Sequence, residues 1–179
     1  MASRLKDILL TSLYFLVVLA VVFVVVTYVA QRIEVIGSSM SPTLDDKDGL
    51  IVDKITYRFE DPQRFDIVVF PYKYEEKTNY IKRVIGLPGE RVYIDDQGNI
   101  YINDELLNEG YGKEVIRDPG RAYVEIQLED DEYFVLGDNR NNSQDSRDPN
   151  VGNIKRSEII GRAFMRLFPL RNMGMIKHQ

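Results

Sequence analysis

Twenty-three consecutive residues, Ile8 to Ala30, carry no charged side chain. Thr11, Ser12, Tyr14, Thr27 and Tyr28 are the polar exceptions. As a helix this stretch rises ~35 Å, enough to cross a hydrocarbon layer of about 30 Å. Two other readings compete with an uncleaved membrane anchor. A cleavable leader has a shorter apolar region and a small-residue cleavage site. Here the run is too long, and Tyr28-Val29-Ala30 puts a bulky ring where a small residue is needed. A buried soluble helix of this length without a charge is the other reading, and its length argues against it. The expected organisation is a cytoplasmic N-terminus (1–7), a transmembrane anchor (8–30) and an extracytoplasmic domain (31–179). Arg4 and Lys6 favour this orientation, and Arg32 at the far end opposes it.

The rest of the chain excludes several chemistries. It has no cysteine, so disulfides, thiolate nucleophiles and thiolate metal sites are absent. Its single histidine, His178, is next to last, a poor place for a catalytic triad or a histidine metal site. A hydrolytic base must then be Lys, Asp, Glu or an amine terminus. The formal net charge is -5, which disfavours nucleic acid as a partner, because that affinity rests on phosphate neutralisation.

After the apolar run the pattern is mostly of period two. Ile33, Val35 and Gly37 alternate with Glu34 and Ile36. Leu50–Val52, Asp66–Phe70, Tyr80–Ile85, Tyr123–Ile126, Tyr133–Leu136 and Ala163–Phe168 read as short strands. Val92–Ile94 and Ile100–Ile102 flank Asp95-Asp96-Gln97-Gly98-Asn99, a hairpin signal. The predicted fold is mainly β, an antiparallel catalytic domain preceded by one N-terminal transmembrane helix. A short helix is expected near Ser41–Thr43 or over Lys155–Ile159.

Three polar segments can carry chemistry. In Gly37-Ser38-Ser39-Met40-Ser41-Pro42-Thr43-Leu44 a strand runs into a turn of small residues. Such a turn exposes a hydroxyl and backbone N–H groups. It reads equally as a helix N-cap before Pro42. In Asn79-Tyr80-Ile81-Lys82-Arg83-Val84-Ile85-Gly86, alternation places Lys82 and Arg83 on opposite faces, so one of them meets a buried side or a cleft. A desolvated lysine loses its proton more readily and can serve as a base. The other reading is an edge-strand lysine that deters aggregation. Gly137 to Arg147 is dense in Asx, Ser and Arg. It reads either as a loop locked by side-chain bonds, including an Asp145–Arg147 pair, or as a solvated surface loop. Its spacing does not fit an EF-hand calcium loop.

Taken together and in order, these segments resemble the bacterial type I signal peptidases. Ser39-Met40-x-Pro42-Thr43-Leu44 is similar to their serine box. Tyr80 to Gly89 is similar to their lysine box, preceded by the strand Arg64 to Phe70. Gly137-Asp138-Asn139-Arg140 with Ser143, Asp145, Ser146 and Arg147 is similar to their third box. The resemblance implies a membrane-anchored endopeptidase acting on secreted preproteins at the plasma membrane, without cofactor or metal. It implies Ser39 as nucleophile, Lys82 as general base, Ser143 as the residue orienting the lysine, and Asp145 and Arg147 as supports. The backbone N–H of Ser39 is the expected oxyanion donor. Some members carry a serine at the position of Gly37, which here has no side chain, so the second donor stays open. Val35, Met40, Leu44, Asn79, Tyr80 and Ile81 are the expected substrate contacts, with plain core packing the competing reading for Leu44. A self-cleaving repressor, an inactive membrane scaffold and an intramembrane protease are rival readings. The anchor with an acidic charge, the retained Ser39, Lys82 and Ser143, and their place outside the span speak against each in turn.

Overall fold

The computed structural model describes residues 2–75 and 78–176, so His178 lies outside the described residues. Helix α1 spans Ala2–Val24 and ends in one wider π turn, Val25–Val29. Strand β1 (Ala30–Glu34) follows without a linker, so the last residue of the expected anchor already belongs to the sheet. From Ile8 to Val24 the apolar side chains of α1 are exposed, as suits a segment (Lys6–Val29) long and apolar enough to cross a membrane. Its end is gripped by the domain. Lys54 donates from its backbone N–H to Val29 O at 2.9 Å and from Nζ to Thr27 O at 3.0 Å. The Arg58 guanidinium stands 5.8 Å from the Tyr28 ring centre.

The remaining strands are β2 (Gly49–Asp53), β3 (Ile67–Pro71), β4 (Asn79–Gly86), β5 (Arg91–Ile94), β6 (Ile100–Ile102) and β7 (Glu105–Leu106). Then come β8 (Ile126–Gln127), β9 (Glu132–Leu136), β10 (Ile154–Lys155), β11 (Gly161–Phe168) and β12 (Gly174–Met175). The larger sheet has the order β1-β2-β11-β3-β4-β9-β10, with β12 added to β11. The smaller has the order β7-β6-β5-β8. Every pairing is antiparallel.

The β5–β6 hairpin forms where its turn residues predict it. Asp95 Oδ1 accepts the N–H groups of Gln97 and Asn99, and Gly98 takes φ +80°. Two expectations fail locally. Tyr123–Ile126 is not a strand: Gly120–Tyr123 forms a 3-10 turn, and only Ile126–Gln127 pairs. Tyr123 and Val124 are both largely exposed, so the segment has no buried face to fix it as a strand. Ser41–Thr43 closes as successive turns and not as a helix, whereas Arg156–Glu158 does form a short 3-10 turn.

Three apolar clusters hold the domain. One gathers Val35, Met40, Leu44, Leu50, Val52, Ile67, Val69 and Ile81 under the first strands. A second fills the space between the two sheets around Ile85, Val92, Leu128 and Phe134. A third packs Val68, Phe70, Val84, Tyr133 and Val135. Strand β4 contributes to all three, so both its faces are covered.

Candidate active site

Two of the strand edges left unpaired among the described residues of the larger sheet flank a cleft. Strand β1 pairs only with β2. Strand β4 pairs with β3 along Asn79–Arg83 but with β9 only from Arg83 onward, so Asn79–Lys82 keep one edge free. Between these edges lies a cleft of about 740 Å³ lined by residues 33–36, Ser39, Met40 and residues 78–82, with Glu75 and Gln144 at its rim. Its walls therefore offer unpaired backbone donors and acceptors to an extended chain.

Ser39 reaches the cleft on a bend that is tied from both sides. Gly37 sits at φ +88°, a conformation that suits glycine, and its N–H donates to Asp46 Oδ1 at 2.8 Å. Gly37 thus offers neither a side chain nor a free N–H to an oxyanion. The carbonyls of Ser38 and Ser39 accept from Asn139, through its Nδ2 and its backbone N–H, both at 3.0 Å. Asn142 Nδ2 donates to Ser38 Oγ. The N–H of Ser39 itself has no acceptor among the described residues.

Lys82 Nζ lies 2.8 Å from Ser39 Oγ and donates to Ile81 O at 3.0 Å. The lysine is 4% exposed. Burial lowers its pKa to about 8, against an opposing pull from Asp145 and Asp138. Arg83, the next residue, is wholly buried as well. The strand therefore hides both cations and not one, because both of its faces are covered. Arg83 makes a two-pronged pair with Asp138, at 2.8 Å from Nε and 2.6 Å from Nη2. Thr43 Oγ1 donates to the same carboxylate, and the guanidinium stacks 3.5 Å over the Tyr111 ring centre. This network joins the serine bend, strand β4 and the 137–147 loop.

That loop is locked from within. Asp145 takes Arg147 Nε at 2.8 Å and Nη2 at 2.9 Å, and also accepts the Gly137 N–H. Arg147 donates further to the carbonyls of Asp118 and Arg140. Ser146 Oγ accepts the Val135 N–H. Gly137 lies flat against the serine bend. A β-carbon there would stand 2.2 Å from Ser143 Oγ and 2.5 Å from Ser39 O. Ser143 is thus brought beside the site, but its Oγ makes no hydrogen bond.

Of the expected substrate contacts, Val35, Met40, Asn79, Tyr80 and Ile81 line the cleft. Leu44 does not: it is fully buried in the first cluster, drawn in by the turn that its N–H closes onto Met40 O. Sequence reading missed Gly137, Asn139 and the Arg83–Asp138–Thr43 network as parts of the site. The presence of two adjacent cations in an apolar run was the available signal for a buried acid opposite.

The family described as signal peptidase, peptidase S26, matches residues 8–168. A probable signal peptidase I-2 of Synechocystis is 43% identical over 155 residues, 84% of this chain and 68% of that protein. Signal peptidase I P of Bacillus subtilis subsp. natto is 38% identical over 162 residues, 87% of this chain and 86% of its own. A solved signal peptidase I of Enterococcus faecalis is 34% identical, with a TM-score of 0.44 over 57% of this chain and 97% of that one.

Proposed function

The chain belongs to the signal peptidase family, the serine endopeptidases that remove signal peptides, and we propose that it works through Ser39 as nucleophile and Lys82 as general base. The observation that carries this reading is the 2.8 Å contact between a serine hydroxyl and a buried lysine with a lowered pKa. Neutral Lys82 Nζ takes the proton of Ser39 Oγ as that oxygen attacks the scissile carbonyl carbon. The carbonyl oxygen becomes an oxyanion facing the unclaimed N–H of Ser39. The C–N bond then breaks, and the Lys82 ammonium returns its proton to the departing amine of the mature protein. The ester left on Ser39 is hydrolysed by a water that neutral Lys82 deprotonates, and the signal peptide leaves with a free carboxylate.

The substrate enters as an added strand between the edges of β1 and β4. Side chains two apart in a strand share a direction, so positions -1 and -3 face the same wall. Val35, Met40 and Ile81 make that wall apolar and close, which suits alanine and excludes bulky residues. By resemblance Ser143 is the residue that orients the lysine, although its Oγ holds no hydrogen bond here, and Asp145 and Arg147 hold the loop that carries Ser143. Residues 8–30 anchor the enzyme in the plasma membrane as a single span, with 1–7 on the cytoplasmic side and 31–179 outside.

The test uses full-length protein in detergent with a preprotein whose signal ends in Ala-x-Ala. Wild type cleaves after the second alanine, whereas Ser39→Ala and Lys82→Ala abolish cleavage and keep the fold. Substantial activity in either folded variant overturns the assignment.

A further inference from the structure

Beside the cleft, five side chains form a relay of contacts that neither proton transfer nor strand addition requires. Tyr72 stacks on Tyr80 with ring centres 4.5 Å apart and planes within 6° of parallel. Phe70 meets Tyr80 edge-on at 6.1 Å. Tyr80 O–H donates to Gln144 Oε1 at 2.7 Å, and Gln144 Nε2 donates to Asp148 Oδ2 at 3.0 Å. The Tyr80 ring is therefore fixed by packing on the strand side and by a hydrogen bond from the loop side. Over it, 4.9 Å from the ring centre, stands Lys82 Nζ.

An aromatic face is negative, and it attracts an ammonium more strongly where water is excluded. Lys82 is such a desolvated group. The charges that act on it are Asp138 and Asp145 from the loop; Glu34 and Glu75 line the same cleft, Asp148 stands behind Gln144, and Arg83 and Arg147 pair with the two loop carboxylates. Asp138 is engaged by Arg83 and Asp145 by Arg147, which weakens the pull of both. We infer that Tyr80, locked by Tyr72 and Gln144, is a positioning residue whose ring face holds the ammonium form of Lys82 and so sets the pH at which the base becomes available. This inference rests on the reading of Lys82 as general base.

The experiment is the pH dependence of kcat/KM for full-length enzyme in detergent, acting on a synthetic peptide that spans an Ala-x-Ala site. Tyr80→Leu keeps the site apolar but removes the ring face. Its midpoint moves toward acid by about one pH unit. Tyr80→Phe and Gln144→Ala keep the face but free the ring, and move the midpoint in the same direction by less. Fluorinated phenylalanines at position 80 drain the ring charge without changing its shape, and shift the midpoint stepwise with each fluorine. That series carries the test if the leucine variant does not fold. Equal midpoints across the leucine, phenylalanine and fluorinated proteins overturn the inference while leaving the Ser39–Lys82 reading intact. Failure of that reading shows itself separately, as cleavage by Lys82→Ala.

Discussion

Lys82 Nζ and Ser39 Oγ lie 2.8 Å apart although 43 positions separate them in the chain. No local turn can create that contact. It depends on the sheet carrying β1 and β4 to opposite walls of one cleft and on the 137–147 loop packing against the serine bend.

A base must be unprotonated to act, so activity follows the titration of Lys82. With its pKa near 8, kcat/KM rises about tenfold per pH unit below that value and levels off above it. At pH 6 the rate is roughly a hundredth of the plateau. Peptide hydrolysis from pH 6 to 10 measures this, and a flat profile contradicts it.

The same burial costs stability. The folded protein binds Lys82's proton less tightly than the unfolded chain does, so between about 8 and the ordinary value of 10.5 the unfolded state holds more protons. Stability therefore rises with pH through that window, and the lysine is most destabilising below it. Lys82→Met is expected to be more stable than wild type at pH 7, by roughly 3 kcal/mol. The difference falls to about 1 kcal/mol at pH 10 and vanishes above about pH 11. Thermal unfolding of the two proteins at pH 7 and pH 10 decides the point.

The Arg83–Asp138 pair is completely buried on both sides. Asp138→Ala leaves a guanidinium without its counter-ion and strips Thr43 of its acceptor. A loss of roughly 3–5 kcal/mol is expected. Chemical denaturation measures it, and a loss below about 1 kcal/mol would mean that Arg83 finds other partners.

Gly137 and Gly86 are both crowded, yet alanine should act differently at each. At Gly137 the added carbon meets Ser143 Oγ and the Ser39 carbonyl, so it displaces the nucleophile. A fall in kcat of about a hundredfold is expected, since displacements near 1 Å have that effect. At Gly86 the carbon meets Val92, Leu128 and Phe134 in the second cluster, far from the chemistry. Gly86→Ala should lower stability by about 1–3 kcal/mol and leave kcat nearly unchanged. Comparable kcat values for the two variants would refute the distinction.

The long apolar helix, the strand content and the hairpin at Asp95–Asn99 were legible in the sequence because each is set by local periodicity or turn chemistry. Lys82 and Arg83 were only half legible. Alternation says that neighbours face opposite ways, which suggests one buried cation; it cannot say that both faces of a strand are covered. Tyr123–Ile126 carries strand-forming residues but gains no burial, so its propensity goes unused. Gly137 and Asn139 stood out only as members of the third box; their roles were silent because these are contacts to the Ser38 and Ser39 backbone, distant in sequence and visible only when the loops meet. Ser143 was named by resemblance, and the fold places it beside Ser39 with its hydroxyl still unbonded.

If α1 spans a bilayer as proposed, its direct passage into β1 would make the enzyme a depth gauge. The five residues of β1 rise roughly 17 Å from where the helix ends, and Lys54 and Arg58 keep that junction from swinging. With α1 in a bilayer, Ser39 hangs at a set height above the lipid. A preprotein then presents its bond correctly only if its own apolar segment stops at the matching level. On the proposed topology, selection would begin with where the substrate leaves the membrane, before any pocket reads a side chain.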